Sequence, residues 1–300
     1  MIAANNTNYI GSIVRFIKQV RVINSIFEKS FIYHSYACRK KKGTHLAVKN
    51  LQKTLKKYSK PGRQVYFLKA DIKSFFTSID KEILIKLIKK KIKNKDIIWL
   101  IRKIVLTSPA KEALKAGSPS LFNEIPKHKS LFWAKEGKGL PIGNLTSQFF
   151  ANIYLNSLDQ FVRHTLKAKH YFRYVDDLVI LDTSPRKLEN YIQRIDGFLK
   201  KNLLLELHPE KTFIRETEKG IDFLGYVVRP NYILVRKRVV KNFKKKIFKA
   251  ERKLKERKYL DLDLLRAIFN SYFAHFSHAN SHRLKEKFKS QKLVFCQGQH

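Results

Sequence analysis

An α+β fold is predicted by three features of the 300-residue chain: short apolar runs at 63–72, 171–182 and 212–228, helically spaced segments between them, and a basic helical region from Arg236 onward. With 44% hydrophobic residues and 12% aromatics, the chain can bury a real core. In chain order the central elements read strand, helix, strand, strand, helix, strand, which is the ferredoxin-like order. No internal repeat is apparent, and glycine and proline are scattered instead of gathered into a linker, so interleaved domains are expected.

Residues 13–29 read as an amphipathic basic helix, and GTHLAVKNLQKTLKKY (43–58) as another, with Ala47, Leu51, Leu55 and Tyr58 on one face. RQVYFLKADI (63–72) reads as a buried strand ending in Asp71, and DKEILIKLIKKKI (80–92) as a helix capped by Asp80. The polar stretch from Thr107 to Gly139 reads as loops and a hairpin. A glycine turn then leads into a long packed helix, because Phe150, Ile153, Tyr154, Leu158, Phe161 and Val162 recur at helical spacing. YFRYVDDLVILD (171–182) reads as two short strands around a tight turn; a helix near 185–202 and strands in TFIRE and IDFLGYVV follow.

Sixty-three lysines and arginines against 24 acidic residues give a formal charge of +39, which points to a polyanionic partner and first of all to nucleic acid. The basic residues recur along the whole chain instead of flanking one apolar segment, which ranks a membrane surface well below. IIWLIRKIVL is too short and too charged to span a bilayer, the N-terminus has no signal-peptide pattern, and two distant cysteines, Cys38 and Cys296, fit a reducing compartment; a cytoplasmic protein is expected.

The sharpest chemical signal is the adjacent pair Asp176 and Asp177 at the tip of an apolar hairpin. Burying neighbouring like charges is expensive unless a cation lies between them. Asp71 ends a strand that can lie beside this hairpin, and no Cys or His stands near the three carboxylates in sequence. Hard oxygen ligands favour magnesium. Two ions roughly 3.5–4 Å apart suit an in-line phosphoryl displacement, the chemistry of nucleotidyl transfer. Two plainer readings stand beside this one: a solvent-exposed Asp-rich turn, and a helix cap at Asp71.

Several motifs in register resemble those of the reverse transcriptases. KADIKSFFTSID is similar to their motif A, YVDD to motif C, LHPEKT to motif D and DFLGY to the primer-grip motif. More narrowly, FIYHSYACRKKKGTHLAV, GLPIGNLTSQFFANIYLN and SYFAHFSHANSHRL look like the reverse transcriptases of diversity-generating retroelements, over residues 22–290. The resemblance implies a right-hand polymerase with a ferredoxin-like palm and a helical thumb: fingers at 1–63 and 81–138, palm at 64–80 and 139–232, thumb at 233–300. It implies synthesis of cDNA from a template-repeat RNA, error-prone at adenines, with deoxynucleoside triphosphates, two magnesium ions and a DNA or RNA primer. A small basic accessory variability protein is the implied partner. A group II intron or retron enzyme, and a non-catalytic RNA-binding remnant, are the alternative readings. The family's chains usually carry more fingers structure toward the N-terminus, of which VRVINSIFEKSF resembles the end.

Carried over residue by residue, the resemblance implies that Asp71 and Asp176 ligate magnesium with Asp177 beside them, and that the Ile72 carbonyl helps hold one ion. Phe76 would be the steric gate against a ribose 2′-hydroxyl; plain core packing is its other reading, since Phe75 and Phe76 alternate and one must point inward. Arg39, Lys41 and Lys42 would meet the incoming triphosphate, with Ile142 and Gly143 also at the nucleotide. Lys211 would protonate the leaving pyrophosphate or neutralise its charge. Leu224 and Gly225 would form the primer grip. Ile142 stands where many relatives carry glutamine, and Gln148 where they carry proline; an isoleucine offers shape but no polar check on alignment, which is the implied origin of low fidelity. His275, His278 and His282 have only part of a zinc spacing and no fourth ligand, so they read as packed or nucleic-acid-facing residues.

Overall fold

The computed structural model describes residues 23–107, 130–141, 145–255 and 262–297. Of the helix expected at 13–29, residues 23–28 are helical, Lys29 is in a turn and 13–22 lie outside the described residues, as do the middle of the polar 107–139 stretch, Ile142 and Gly143.

Four strands form one sheet in the order β2-β3-β1-β4: β1 Tyr66–Asp71, β2 His170–Tyr174, β3 Asp177–Asp182 and β4 Phe213–Glu216. Placing β1 between β3 and β4 is the ferredoxin-like arrangement expected from element order. β2 and β3 pair antiparallel from His170 with Leu181 to Tyr174 with Asp177, so the connecting loop is two residues, Val175 and Asp176. Val175 has φ +55° while Asp176 keeps a negative φ, the pattern of a type II′ turn. That first position favours glycine, and a β-branched side chain there is strained.

The chain divides into two compact units, one of residues up to Gly43 with Leu68–Ile214, the other of Thr44–Phe67 with residues from Arg215 onward. The division differs from the boundaries at 63/64 and 232/233 expected from sequence. Its cause within the second unit is local stitching: the Thr217 amide and hydroxyl donate to the Val65 carbonyl at 3.0 and 3.1 Å, and Gln64 donates to Glu216 at 3.1 Å. Helix α1 (Thr44–Tyr58) buries Ala47, Val48, Leu51 and Leu55, while Tyr58 stays half-buried under the Arg63 guanidinium.

In the first unit, β1 is followed by the short helix α2 (Phe75–Ser78), then α3 (Lys81–Lys89) and α4 (Lys95–Leu106). Asp80 caps α3 by accepting from the amides of Glu82 and Ile83 at 3.1 and 2.9 Å, the expected cap. Helix α5 (Leu145–Gln160) runs on through a π turn, Phe161–Thr165. It is buried on nearly every side, including Phe150, Ile153, Tyr154, Leu155 and Leu158, so its polar Asn152 and Asp159 lie in the core and need partners. Helix α6 (Pro185–Phe198) begins at the Ser184 cap with proline in its first turn, and its Asp196 accepts from the Leu207 amide at 3.0 Å.

In the second unit, β5 (Ile221–Phe223), β6 (Tyr226–Val228) and β7 (Ile233–Val235) form an antiparallel sheet, followed by α7 (Lys237–Lys255), α8 (Leu262–Phe276) and α9 (His282–Gln297). The helices close on Phe243, Ile247, Leu265, Phe269, Phe276 and Phe288. Phe243 meets five aromatic rings, from Phe269, Tyr272, Phe273, Phe276 and Phe288. On the opposite side of α7, Lys241, Lys244, Lys245 and Lys249 are exposed, so one helix carries a packing stripe and a cationic face. Phe243→Ala should cost about 3–5 kcal/mol in a urea unfolding titration of this helical core; a loss under about 1 kcal/mol would show that the ring cluster does not hold it together.

Candidate active site

Strand periodicity builds the site. Lys69 and Asp71 are two residues apart on β1 and share a face, whereas Leu68, Ala70 and Ile72 point to the other and are buried. The Lys69 ammonium lies 3.5 Å from Asp177 Oδ2, and the Lys211 ammonium 3.3 Å from Asp71 Oδ2. After β1, the Lys73 amide donates to the Glu206 carbonyl at 3.0 Å and the His208 amide to the Asp71 carbonyl at 2.7 Å. These bonds flank the pair Ile72 with Leu207, which makes it a non-hydrogen-bonded pair and turns the Ile72 carbonyl away from Leu207.

Asp71, Ile72, Phe76, Asp176, His208 and Lys211 line one cleft of about 390 Å³ together with the residues of the α2 turn. Phe75 and Phe76 both border this cleft; Phe75 is otherwise buried, whereas Phe76 is half-exposed. Asp176 is raised to about 6, chiefly by burial and then by the charge of Asp71. Asp177 is also raised to about 6; burial leads, Lys69 opposes it, and the other two aspartates add to it. Asp177 Oδ1 is buried without a hydrogen-bond partner among the described residues. Three like charges, one orphaned carboxylate oxygen and a carbonyl form a set of hard oxygens that could hold a divalent cation. Among the described residues, no three His, Cys, Asp or Glu side chains already converge as a metal cage.

Beneath the hairpin lies a residue the motif reading passed over. Arg173 on β2 is wholly buried and forms a fork on the equally buried Asp159, with Nε 2.7 Å from Oδ1 and Nη2 2.6 Å from Oδ2. Its remaining donors reach Asn152 Oδ1 at 3.2 Å, Ser35 Oγ at 3.0 Å and the Val175 carbonyl at 3.0 Å. Tyr171 donates its hydroxyl to Asp159 at 2.8 Å. The signal was present in sequence as a charge inside HYFRYV and another on the apolar helix, but nothing in sequence paired them. Lys69 and His208 were missed for the same reason.

The other predicted residues fall in several places. The Arg39 guanidinium lies 2.7 Å from Glu28 and donates to the carbonyls of Ile32 and Ser35. Lys42 donates to the Tyr33 carbonyl at 2.9 Å and sits over that ring, whereas Lys41 is exposed with φ +58°. Gln148 accepts from the Cys38 thiol at 2.6 Å. Leu224 and Gly225, with φ +53° and +87°, make the type I′ turn between β5 and β6, and a Cβ on Gly225 would press on the His275 ring at 3.2 Å. His275 receives the Tyr226 hydroxyl on its carbonyl at 2.9 Å, His278 stacks on His45, and His282 is exposed. No helix among the described residues is long and apolar enough to cross a membrane.

The raised carboxylates carry a sign. In the metal-free chain their folded-state proton affinity exceeds the unfolded value, so stability is greatest below about pH 4 and falls as pH rises through about 6. Asp176→Asn in EDTA at pH 7.5 should therefore raise Tm by roughly 2–5 °C, with the gain vanishing near pH 4. An unchanged or lower Tm at pH 7.5 would mean that the site is not electrostatically strained.

A family profile described as reverse transcriptase (RNA-dependent DNA polymerase) matches residues 11–228. The chain is 29% identical to the group II intron-encoded protein LtrA of Lactococcus lactis subsp. cremoris, over 69% of this chain and 41% of that protein. It is 22% identical to the putative COX1/OXI3 intron 2 protein of Saccharomyces cerevisiae, over 69% and 28% respectively. The chain thus spans less than half the length of these two curated relatives. Among solved structures, apo telomerase from Candida tropicalis superposes with a TM-score of 0.50 at 14% identity, covering 73% of this chain and 39% of that one. That likeness is one of fold, and it meets the expectation of an α+β, right-hand polymerase class. With a family match across residues 11–228 that takes in the Asp71 strand, the YVDD hairpin and the Lys211 segment, the chain belongs to the reverse transcriptase (RNA-dependent DNA polymerase) family.

Proposed function

We propose that this protein is an RNA-directed DNA polymerase that copies RNA into DNA from deoxynucleoside triphosphates, using magnesium. The observation that carries the reading is the single cleft lined by Asp71, Asp176, Phe76 and Lys211. Asp71, Asp176 and the Ile72 carbonyl would hold two ions, with Asp177 next to them and restrained by Lys69. Magnesium, when bound, would activate the primer hydroxyl and stabilise the leaving oxygen. Lys211 is already drawn to this cluster by Asp71 and would transfer its contact to the phosphates, offsetting their charge or supplying a proton to the leaving pyrophosphate. Phe76 would sit under the sugar and exclude a 2′-hydroxyl. Lys41 and Lys42 remain the triphosphate contacts of the fingers, with Arg39 bracing that segment. Leu224 and Gly225 would grip the primer, and the exposed lysines of α7 would contact phosphates of the duplex, giving steeply salt-dependent binding.

Within the family, our reading is a mutagenic enzyme of the diversity-generating kind, acting on a template-repeat RNA with a small basic accessory protein. It is supported by the Ile142 and Gln148 pattern. A group II intron type is the second reading, favoured by the identity to LtrA and to the intron 2 protein. The two differ in their error spectrum.

Primer extension on an adenine-containing RNA template should be magnesium-dependent and fall roughly 10²–10³-fold or more in Asp176→Ala. Errors concentrated at template adenines would support the diversity-generating reading, an even error spectrum the intron type, and RNA binding without any synthesis a non-catalytic remnant. Phe76→Ala should admit ribonucleotides, lowering discrimination roughly tenfold or more; unchanged discrimination would return Phe76 to core packing.

A further inference from the structure

We infer that Arg173, braced by Asp159, is a positioning residue that sets the peptide plane aiming Asp176 into the cleft. The inference rests on the polymerase reading of that cleft. A two-residue hairpin loop has two low-energy forms, types I′ and II′, which differ mainly by a flip of the central peptide. Here the central peptide joins Val175 to Asp176, and its carbonyl is the group that accepts from Arg173 Nη1 at 3.0 Å. A flip would carry that oxygen away from the guanidinium and reset ψ at Val175 and φ at Asp176, turning the Asp176 carboxylate out of line.

Three observations make this more than core packing. First, all five N–H donors of the guanidinium are used, on Asp159, Asn152, Ser35 and Val175, so its orientation is fully determined. Second, those partners come from three separate segments. Helix α5 supplies Asp159 and Asn152, and the Asn152 amide in turn donates to the Ala37 carbonyl at 2.7 Å. The 34–36 segment flanks β2, with the Arg173 amide donating to the His34 carbonyl at 2.9 Å and the Tyr36 amide to the Arg173 carbonyl at 3.0 Å. Third, the held conformation is an unfavourable one, a valine at φ +55° where glycine fits best, and it needs a restraint to persist. A lysine could keep the charge beside Asp159 but has no planar fork to reach Val175 as well.

The test uses the full chain and three variants: Arg173→Lys, the paired apolar replacement Arg173→Met with Asp159→Leu, and Val175→Gly in the native background. Replacing both members of a buried pair avoids stranding a charge, so the double variant should keep native circular dichroism. Manganese binding is measured by calorimetry without nucleic acid, and primer extension gives kcat and the KM for deoxynucleotide. Both the lysine and the double variant should bind manganese at least roughly tenfold more weakly and lose roughly 10–100-fold in kcat, with KM changed less than about threefold. Val175→Gly, which keeps the clamp and relieves the strain, should bind manganese as the native chain does. If a folded Arg173→Lys binds manganese and turns over like the native chain, the clamp is not needed and the inference fails. Should the double variant not fold, Arg173→Lys decides alone. A native chain that binds manganese but makes no DNA would overturn the polymerase reading, and the manganese affinities of the variants would still decide the role of Arg173.

Discussion

The buried pair of Arg173 and Asp159 is the constraint on which the rest of the first unit depends. Taking two charges out of water costs several kcal/mol each, and mutual attraction compensates only when the remaining hydrogen-bonding capacity is also met. Here it is met completely, by Tyr171 on the carboxylate and by Asn152, Ser35 and Val175 on the guanidinium. The consequence is rigidity: α5, the 34–37 segment and the hairpin cannot shift independently without leaving a charged group unpaired in the core. A buried salt bridge is a poor source of stability, so its worth here lies in conformational specificity.

Above that satisfied pair sits an unsatisfied one. Asp176 and Asp177 share their surroundings with Asp71; Lys69 lies 3.5 Å from Asp177 and Lys211 3.3 Å from Asp71, yet burial and mutual repulsion still keep Asp176 and Asp177 raised. The same hairpin thus holds a fully compensated charge, Arg173, three residues before a poorly compensated one, Asp176. Uncompensated carboxylates at the end of a rigid support are what a cation-dependent reaction centre requires, since the free energy of their repulsion is released on ligand binding.

The cleft was legible where chemistry is local in sequence. Asp71 at the end of a strand, the YVDD turn and the LHPEKT segment each carry their meaning within a few residues, and the structure brings Asp71, Asp176 and Lys211 to one cleft. Of the face expected for α5 and its continuation, Phe150, Ile153, Tyr154, Leu158 and Val162 are buried and Phe161 is partly exposed. Legibility fails where a residue's role depends on a partner far along the chain. The contacts of Arg39 with Glu28 and with the carbonyls of Ile32 and Ser35 carry no signature within its own motif. The bonds from the Thr217 amide and hydroxyl to the Val65 carbonyl likewise join segments 152 positions apart.

By itself, the sequence determined the strand and helix order, the strong positive charge and the three aspartates. These follow from local propensity, periodicity and composition, which act over a few residues at a time. Only the tertiary structure decided how far Phe75 and Phe76 are each exposed beside the cleft, which cations attend which carboxylates, and that Arg173 is committed to Asp159 and to the Val175 carbonyl. Those outcomes depend on the burial of charge and the direction of hydrogen bonds, and both are set by residues that meet only once the chain has folded.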